Sequence, residues 1–292
     1  MKRNSHRSLA MLIVAMVIWG TIGLFRKSIP LSSGIVAFTR GITGAAFLAL
    51  LAKYRNGAVL HGAGTARTLW LAASGAAMGV NWILLFEAYR YTSVSIATLC
   101  YYMEPTIVIL ASAILFRERI TVRKGLCAAA AVLGMVLVSG VSDGMLPQAG
   151  QWRGIAMGLG AAALYSVVVL MNKRTAGVDA FEKSVIQLAA AAAVLIPYLL
   201  LTENFSALTC SAGTALLLLL VGIVHTGIAY ALYFGSMDGL ETQTIAIFSY
   251  IDPIVALVLS AIVLSEKMSA AGIAGSVLIL GSAILSEIKG RT

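Results

Sequence analysis

The sequence predicts an all-α polytopic membrane protein: ten transmembrane helices in two five-helix repeats, the second inverted relative to the first. Three observations predict it. The chain is too apolar for a soluble domain, its apolar runs have the length of membrane spans, and one set of charged and proline positions occurs twice at a fixed offset.

Composition sets the class. Of 292 residues, 60% are hydrophobic and 11% charged, with a mean hydropathy of +0.93. A soluble domain carries about 25% charged residues, enough to cover its surface. Here the excess apolar surface must face lipid. The formal charge of +9 could suit a nucleic-acid binder, but the basic residues sit between apolar runs and form no single patch. A membrane protein places them so, because cytoplasmic loops collect Lys and Arg. No nucleic-acid partner is expected. Three cysteines, Cys100, Cys127 and Cys210, fit neither a disulfide framework nor a zinc site. No metal and no cofactor is expected.

The spans follow from length. A membrane helix needs roughly 20 apolar residues. Such runs fall near 9–29, 32–52, 68–89, 93–116, 121–140, 152–172, 182–202, 213–236, 242–264 and 269–286. Lys2, Arg3, His6 and Arg7 before the first run imitate a signal peptide. No small-residue cleavage pattern follows, so a retained first helix is expected. With a cytoplasmic N-terminus, fifteen Lys and Arg fall on the cytoplasmic side and five on the other, with Arg40 inside a span. This bias puts both termini in the cytoplasm, and the expected location is the inner (plasma) membrane.

The repeat follows from spacing. Tyr102–Met103–Glu104–Pro105 matches Tyr250–Ile251–Asp252–Pro253, and Arg117–Glu118–Arg119 matches Ser265–Glu266–Lys267. Both matches, and Phe86 with Phe234, share an offset of 148 residues. Residues 1–146 and 147–292 then form the two repeats, joined by a linker near Ser142–Gln151. Five spans per repeat force the second to insert upside down. Inverted repeats around a central site are a common build of secondary transporters.

Several residues within the spans carry chemistry. Burying a carboxylate at the bilayer centre costs at least about 2.5–3.5 kcal/mol, so Glu104 and Asp252 need a partner, water or a proton. The prolines after them have no N–H, which leaves the carbonyls of Tyr101 and Ser249 without their helical donors. Acid plus free carbonyl, twice, describes a polar pocket that binds protons or cations; pairing with Arg40 is the structural alternative. The planar fork of Arg40 could instead hold a substrate carboxylate. His225 could relay protons or sit neutral on a backbone carbonyl. Trp19, Trp82, Tyr101, Tyr102, Tyr165, Tyr230 and Tyr250 suit the flat walls of a metabolite pocket, with Asn81 as a polar contact, though most membrane aromatics pack or anchor. Glu118 and Glu266 read as helix-end charge pairs or as gates.

These motifs, in their order, resemble the drug/metabolite transporter superfamily, in particular its ten-helix members with two EamA-type repeats. Trp19–Gly20 resembles the family's span-one pattern. Ala37–Phe38–Thr39–Arg40 resembles span two, and Phe86–Glu87–Ala88–Tyr89–Arg90–Tyr91–Thr92–Ser93 the end of span three. Pro105 with Glu118, and Pro253 with Glu266, are similar to the Pro…Glu pattern of each repeat. The resemblance implies a non-enzymatic exporter of small polar metabolites such as amino acids or amines, with alternating access through a central cavity. The acids directly before both prolines depart from the family pattern. Proton coupling is one expectation and facilitated uniport the alternative; a membrane sensor or scaffold is the rival outside transport. The expected partners are a small-molecule substrate, the lipid bilayer and possible coupling protons, with the protein a monomer or weak dimer.

Overall fold

The computed structural model describes residues 2–59, 62, 64–115, 121–139, 149–172, 175, 177–237, 240 and 242–287. Among them every regular element is helical. Glu118 with its flanking arginines, and residues 142–148 of the expected linker, lie outside the described residues.

In chain order the α-helices are α1 (Lys2–Gly20), α2 (Ile22–Ser28), α3 (Ser33–Asn56), α4 (Thr65–Tyr91), α5 (Val94–Tyr101), α6 (Glu104–Leu115) and α7 (Val122–Val138). They continue as α8 (Ala149–Asn172), α9 (Ala180–Thr202), α10 (Ala212–Gly222), α11 (Ala229–Met237), α12 (Thr242–Phe248), α13 (Ile251–Ile262) and α14 (Ala270–Glu287). Eight continuous or nearly continuous helical runs are long and apolar enough to cross a membrane: His6–Ser28, Ser33–Arg55, Thr65–Tyr91, Val94–Ala111, Gly150–Asn172, Ala180–Thr202, Ala212–Met237 and Thr244–Ile262. The expected runs near 121–140 and 269–286 form the shorter α7 and α14. The protein is a multi-pass membrane protein.

Polar side chains start the helices. Ser32, Ser93, Thr121 and Ser211 each accept a hydrogen bond from the backbone N–H three residues on, and Asp179 accepts from Phe181 and Glu182. Each cap satisfies an N–H that the first turn leaves without a partner. Inside the bilayer such satisfaction is obligatory.

The helices meet at small residues, which let backbones approach without any hydrophobic drive between apolar surfaces in lipid. At Gly79 of α4 a Cβ would come within 2.7 Å of the Ala191 carbonyl oxygen of α9. Gly134 of α7 and Gly275 of α14 lie against each other's carbonyls, which a Cβ on either would meet at 2.7 and 2.5 Å. Larger residues fill the interior, where Phe86, Leu48, Leu188 and Leu195 are buried. Lipid-sized side chains stay outside, including Leu126 and Leu133 of α7, Leu201 of α9 and Val277 of α14.

Four spans are interrupted, and the interruptions place the site. The first breaks at Thr21 between α1 and α2. Another breaks at Tyr102–Met103, immediately before Glu104–Pro105, and its counterpart at Ser249–Tyr250, before Asp252–Pro253. A third kind of break is the π-helical segment Ile223–Ile228 between α10 and α11. One expectation needs correction. The Ser249 carbonyl is not left open by Pro253, because the backbone tightens and the Asp252 N–H donates to it at 3.3 Å.

The segments carrying the two acid–proline motifs run antiparallel. The start of α5 meets the end of α13, where Ser95 Oγ donates to Ser260 Oγ at 2.8 Å.

Candidate functional site

The broken helices surround a central cavity of about 800 Å³. Both acids line it, Glu104 from the first turn of α6 and Asp252 from the first turn of α13. The Tyr102 hydroxyl donates to Asp252 Oδ2 at 2.7 Å. The Tyr102 ring lies 6.1 Å from that of Tyr250, so the matching tyrosines of the two motifs pack together. Tyr101 extends the wall, 5.6 Å from Tyr165 and 6.0 Å from Tyr102 between ring centres.

Arg40 of α3 supplies the opposite charge in the same cavity, although only 5% of its surface is exposed. Its Nε donates to Thr226 Oγ1 at 3.2 Å, and its guanidinium carbon lies 4.1 Å from the Trp82 ring centre. Among the described residues Nη1 and Nη2 have no acceptor, and no ion pair joins Arg40 to Asp252. Of the expected alternative, in which Arg40 neutralises Glu104 or Asp252, the Asp252 pair is not formed: stacking and a hydroxyl hold the guanidinium beside the cavity. A planar cation over an indole gains about 2 kcal/mol when desolvated.

The other expected site residues divide in two. Trp19, Trp82, Tyr101, Tyr102, Tyr165, Tyr230, Tyr250 and Pro105 line the cavity. Asn81, His225 and Pro253 do not. Asn81 has no exposed surface and donates from Nδ2 to the Ala161 carbonyl at 2.5 Å, joining α4 to α8. His225 sits in the π-helical segment behind the wall, with Nε2 at 2.8 Å from Thr21 Oγ1. Its carbonyl accepts from Trp19 Nε1 at 2.8 Å. A π-turn displaces helical carbonyls from their usual donors, and the indole takes up this one. The Trp19 ring then packs on Tyr230 and Tyr233, each 5.3 Å away. Pro253 is buried in α13.

Sequence reasoning missed part of the lining. Thr98, Tyr89, Ser184 and Gln187 all reach the cavity. Gln187 was legible as an amide inside an apolar run; it donates to Asn172 Oδ1 at 2.9 Å and to Ser74 Oγ at 2.5 Å.

The cavity reaches toward one end of the helices. Lys124, Asn172, Lys183 and Ser286 lie along it there. The opposite end is tied shut. Glu266, after α13, accepts from the backbone N–H groups of Val94 at 2.8 Å and Ser95 at 3.4 Å and from the Ser260 hydroxyl. Its other oxygen pairs with Lys27 Nζ at 3.0 Å. The expected helix-end role of Glu266 thus joins three elements remote in sequence. Glu87 pairs with Arg90 at the same end, at 3.0 Å.

Sequence comparison decides the family. The profile of the EamA-like transporter family matches residues 6–140 and again residues 152–287. The chain belongs to the EamA-like transporter family. The chain is also similar to the uncharacterized transporter YxxF of Bacillus subtilis, 27% identical over 95% of this chain and 88% of that protein. Protein PecM of Dickeya dadantii is 28% identical over 72% of this chain and 70% of its own. A crystal structure of another protein, 21% identical, superposes with a TM-score of 0.65 over 96% of each chain, a likeness of fold. Membership in a transporter family makes the central cavity, open toward one end and tied at the other, the candidate site for a small-molecule substrate.

Proposed function

We propose that this EamA-family protein is a secondary transporter of the plasma membrane that exports small polar metabolites such as amino acids or amines by alternating access. Ten helices in two inverted halves, residues 1–146 and 147–292, build it, with both termini in the cytoplasm. The antiparallel contact of α5 with α13 and the two family matches support the inverted halves. The excess of basic residues on the Lys124 side supports a cytoplasmic mouth there.

The observation that carries the reading is the dipolar cavity. The Arg40 fork stands on one wall without an acceptor among the described residues, and the Asp252 and Glu104 carboxyls stand on another among tyrosines. A zwitterion satisfies both, its carboxylate on the guanidinium and its ammonium on the acids, between flat aromatic walls. Either acid can also carry a coupling proton.

Reconstitution in liposomes tests this. A substrate-driven pH change is expected, and Glu104→Gln with Asp252→Asn should abolish it. Transport with unaltered pH dependence in that double variant would exclude proton coupling at the pair and leave facilitated uniport. No transport of any zwitterion or amine by the native protein would exclude the substrate class.

A further inference from the structure

We propose that Glu266 is a latch at the Lys27 end of the cavity, and that its release joins the central cavity to a basic exit pocket behind Tyr89. The proposal rests on the alternating-access reading above and adds where the closed end opens and what the substrate meets there.

Four observations carry it. First, the Glu266 carboxylate is bound by groups from three separate segments: Lys27 in the last turn of α2, the N-terminus of α5, and Ser260 of α13. Charge-assisted bonds to backbone N–H groups are the stronger kind, and the positive end of a helix favours an anion there. Second, Ser265, which aims Glu266, holds φ at 54°. A residue other than glycine is strained in that region, and such strain persists where surrounding contacts over-determine it. Release of the carboxylate lets that turn relax.

Third, a second pocket of about 540 Å³ lies at this end, with Arg26, Lys27, Arg90 and the 29–32 loop around it. Tyr89 lines both this pocket and the central cavity, so one side chain is a shared wall. Fourth, that wall is fastened to the latched helix: Tyr89 Oη lies 3.5 Å from Thr98 Oγ1 of α5. Helix α5 therefore carries the latch donors, the N–H groups of Val94 and Ser95, at its first turn and the wall's partner one turn further on. Moving its N-terminus away from Glu266 moves Thr98 from Tyr89 and opens the partition.

The exit pocket suits an anionic group. Lys27 and Arg90 are paired to Glu266 and Glu87. Arg26 is 4% exposed, bonded to the Ile29 carbonyl at 3.1 Å and Ser33 Oγ at 2.9 Å, with Nε lacking a partner among the described residues. Freed from Glu266, Lys27 adds a second cation. A substrate carboxylate leaving Arg40 would meet these charges next.

The test is sided thiol labelling of Thr98→Cys, with Cys100, Cys127 and Cys210 replaced by Ala and an anionic membrane-impermeant methanethiosulfonate as probe. Thr98 is buried at the partition, so its access reports which end is open. With Glu266 present, labelling from the Lys124 face should exceed labelling from the Lys27 face. Glu266→Gln should raise the Lys27-face rate about tenfold, a shift of about 1.4 kcal/mol between the two states. An unchanged Lys27-face rate, with Lys124-face labelling intact, overturns the latch and leaves the transporter reading standing. Labelling from neither face in any variant overturns the open cavity and the transport reading with it. Should Glu266→Gln fail to give a monodisperse protein in detergent, Lys27→Met with Ser260→Ala removes two of the tethers and keeps the carboxylate on the α5 N–H groups. A Lys27-face rate that does not rise in that variant overturns the latch equally.

Discussion

Arg40 shows how single residues decide this protein's chemistry. A guanidinium in the bilayer interior needs compensation, and here Trp82 and Thr226 supply it without an acidic partner from Asp252. An ion pair would have closed the fork; stacking leaves it open. Arg40→Met should raise KM for a carboxylate-bearing substrate about 10–100-fold, since a hydrogen bond to a charged group is worth about 1.5–3 kcal/mol. Arg40→Lys keeps the charge and loses the fork, so it should recover only part of the affinity. Uptake kinetics in proteoliposomes check both, and an unchanged KM in Arg40→Met removes Arg40 from the site. Tyr102→Phe addresses the other pole. It deletes the hydroxyl donor to Asp252 and should move the pH midpoint of transport, whereas a residue that only packs would leave that midpoint in place.

At the scale of elements, the breaks matter more than the helices. The two proline breaks were legible in sequence because proline after an acid in an apolar run has a single local meaning: a lost N–H beside a charge. The π-helical segment was not legible. Span eight is apolar nearly all round, with His225 and Thr226 its central polar residues, and nothing in its pattern marks the extra residue in the turn. For the same reason His225 could be placed in the span but not turned away from the cavity. Asn81 was similarly visible as a polar residue, while its direction depends on α8, which passes behind it. The Trp19 indole holds the π-segment carbonyl of His225. Trp19→Phe keeps an aromatic ring, though a smaller one, and loses the donor, leaving that carbonyl without it at a cost of about 1–3 kcal/mol. A lower Tm in detergent should follow, together with slower transport, because the same ring walls the cavity. The α4–α9 crossing makes a cleaner stability test. Gly79→Leu puts a branched side chain where a Cβ already meets the Ala191 carbonyl at 2.7 Å. Overpacking of this kind costs about 1–3 kcal/mol or more, and Tm should fall even though Gly79 lies outside the cavity lining.

At the scale of the molecule, the question is how two similar halves make one gate at each face. If each half contributes five spans, the second must run opposite to the first, and equivalent loops must emerge on opposite sides. The contact between Ser95 at the start of α5 and Ser260 near the end of α13 has that sense, since equivalent segments meet head to tail. Charge asymmetry runs the same way, with four basic residues in the loop after span four and Lys267 alone after span nine. A loop rich in Lys and Arg resists translocation, so the proposed orientation keeps the Lys124 loop cytoplasmic and has the Lys267 loop cross. Lys124 and Lys267 are both exposed, so each accepts a reporter without disturbing the core. With native cysteines removed, Lys267→Cys should react with an impermeant maleimide on intact cells, and Lys124→Cys only after the membrane is opened. Reaction of both from the same side would mean that the halves are parallel. The Glu266 tether and the Lys124 mouth could not then belong to opposite faces, and a cavity joined to only one face at a time would lose its structural basis.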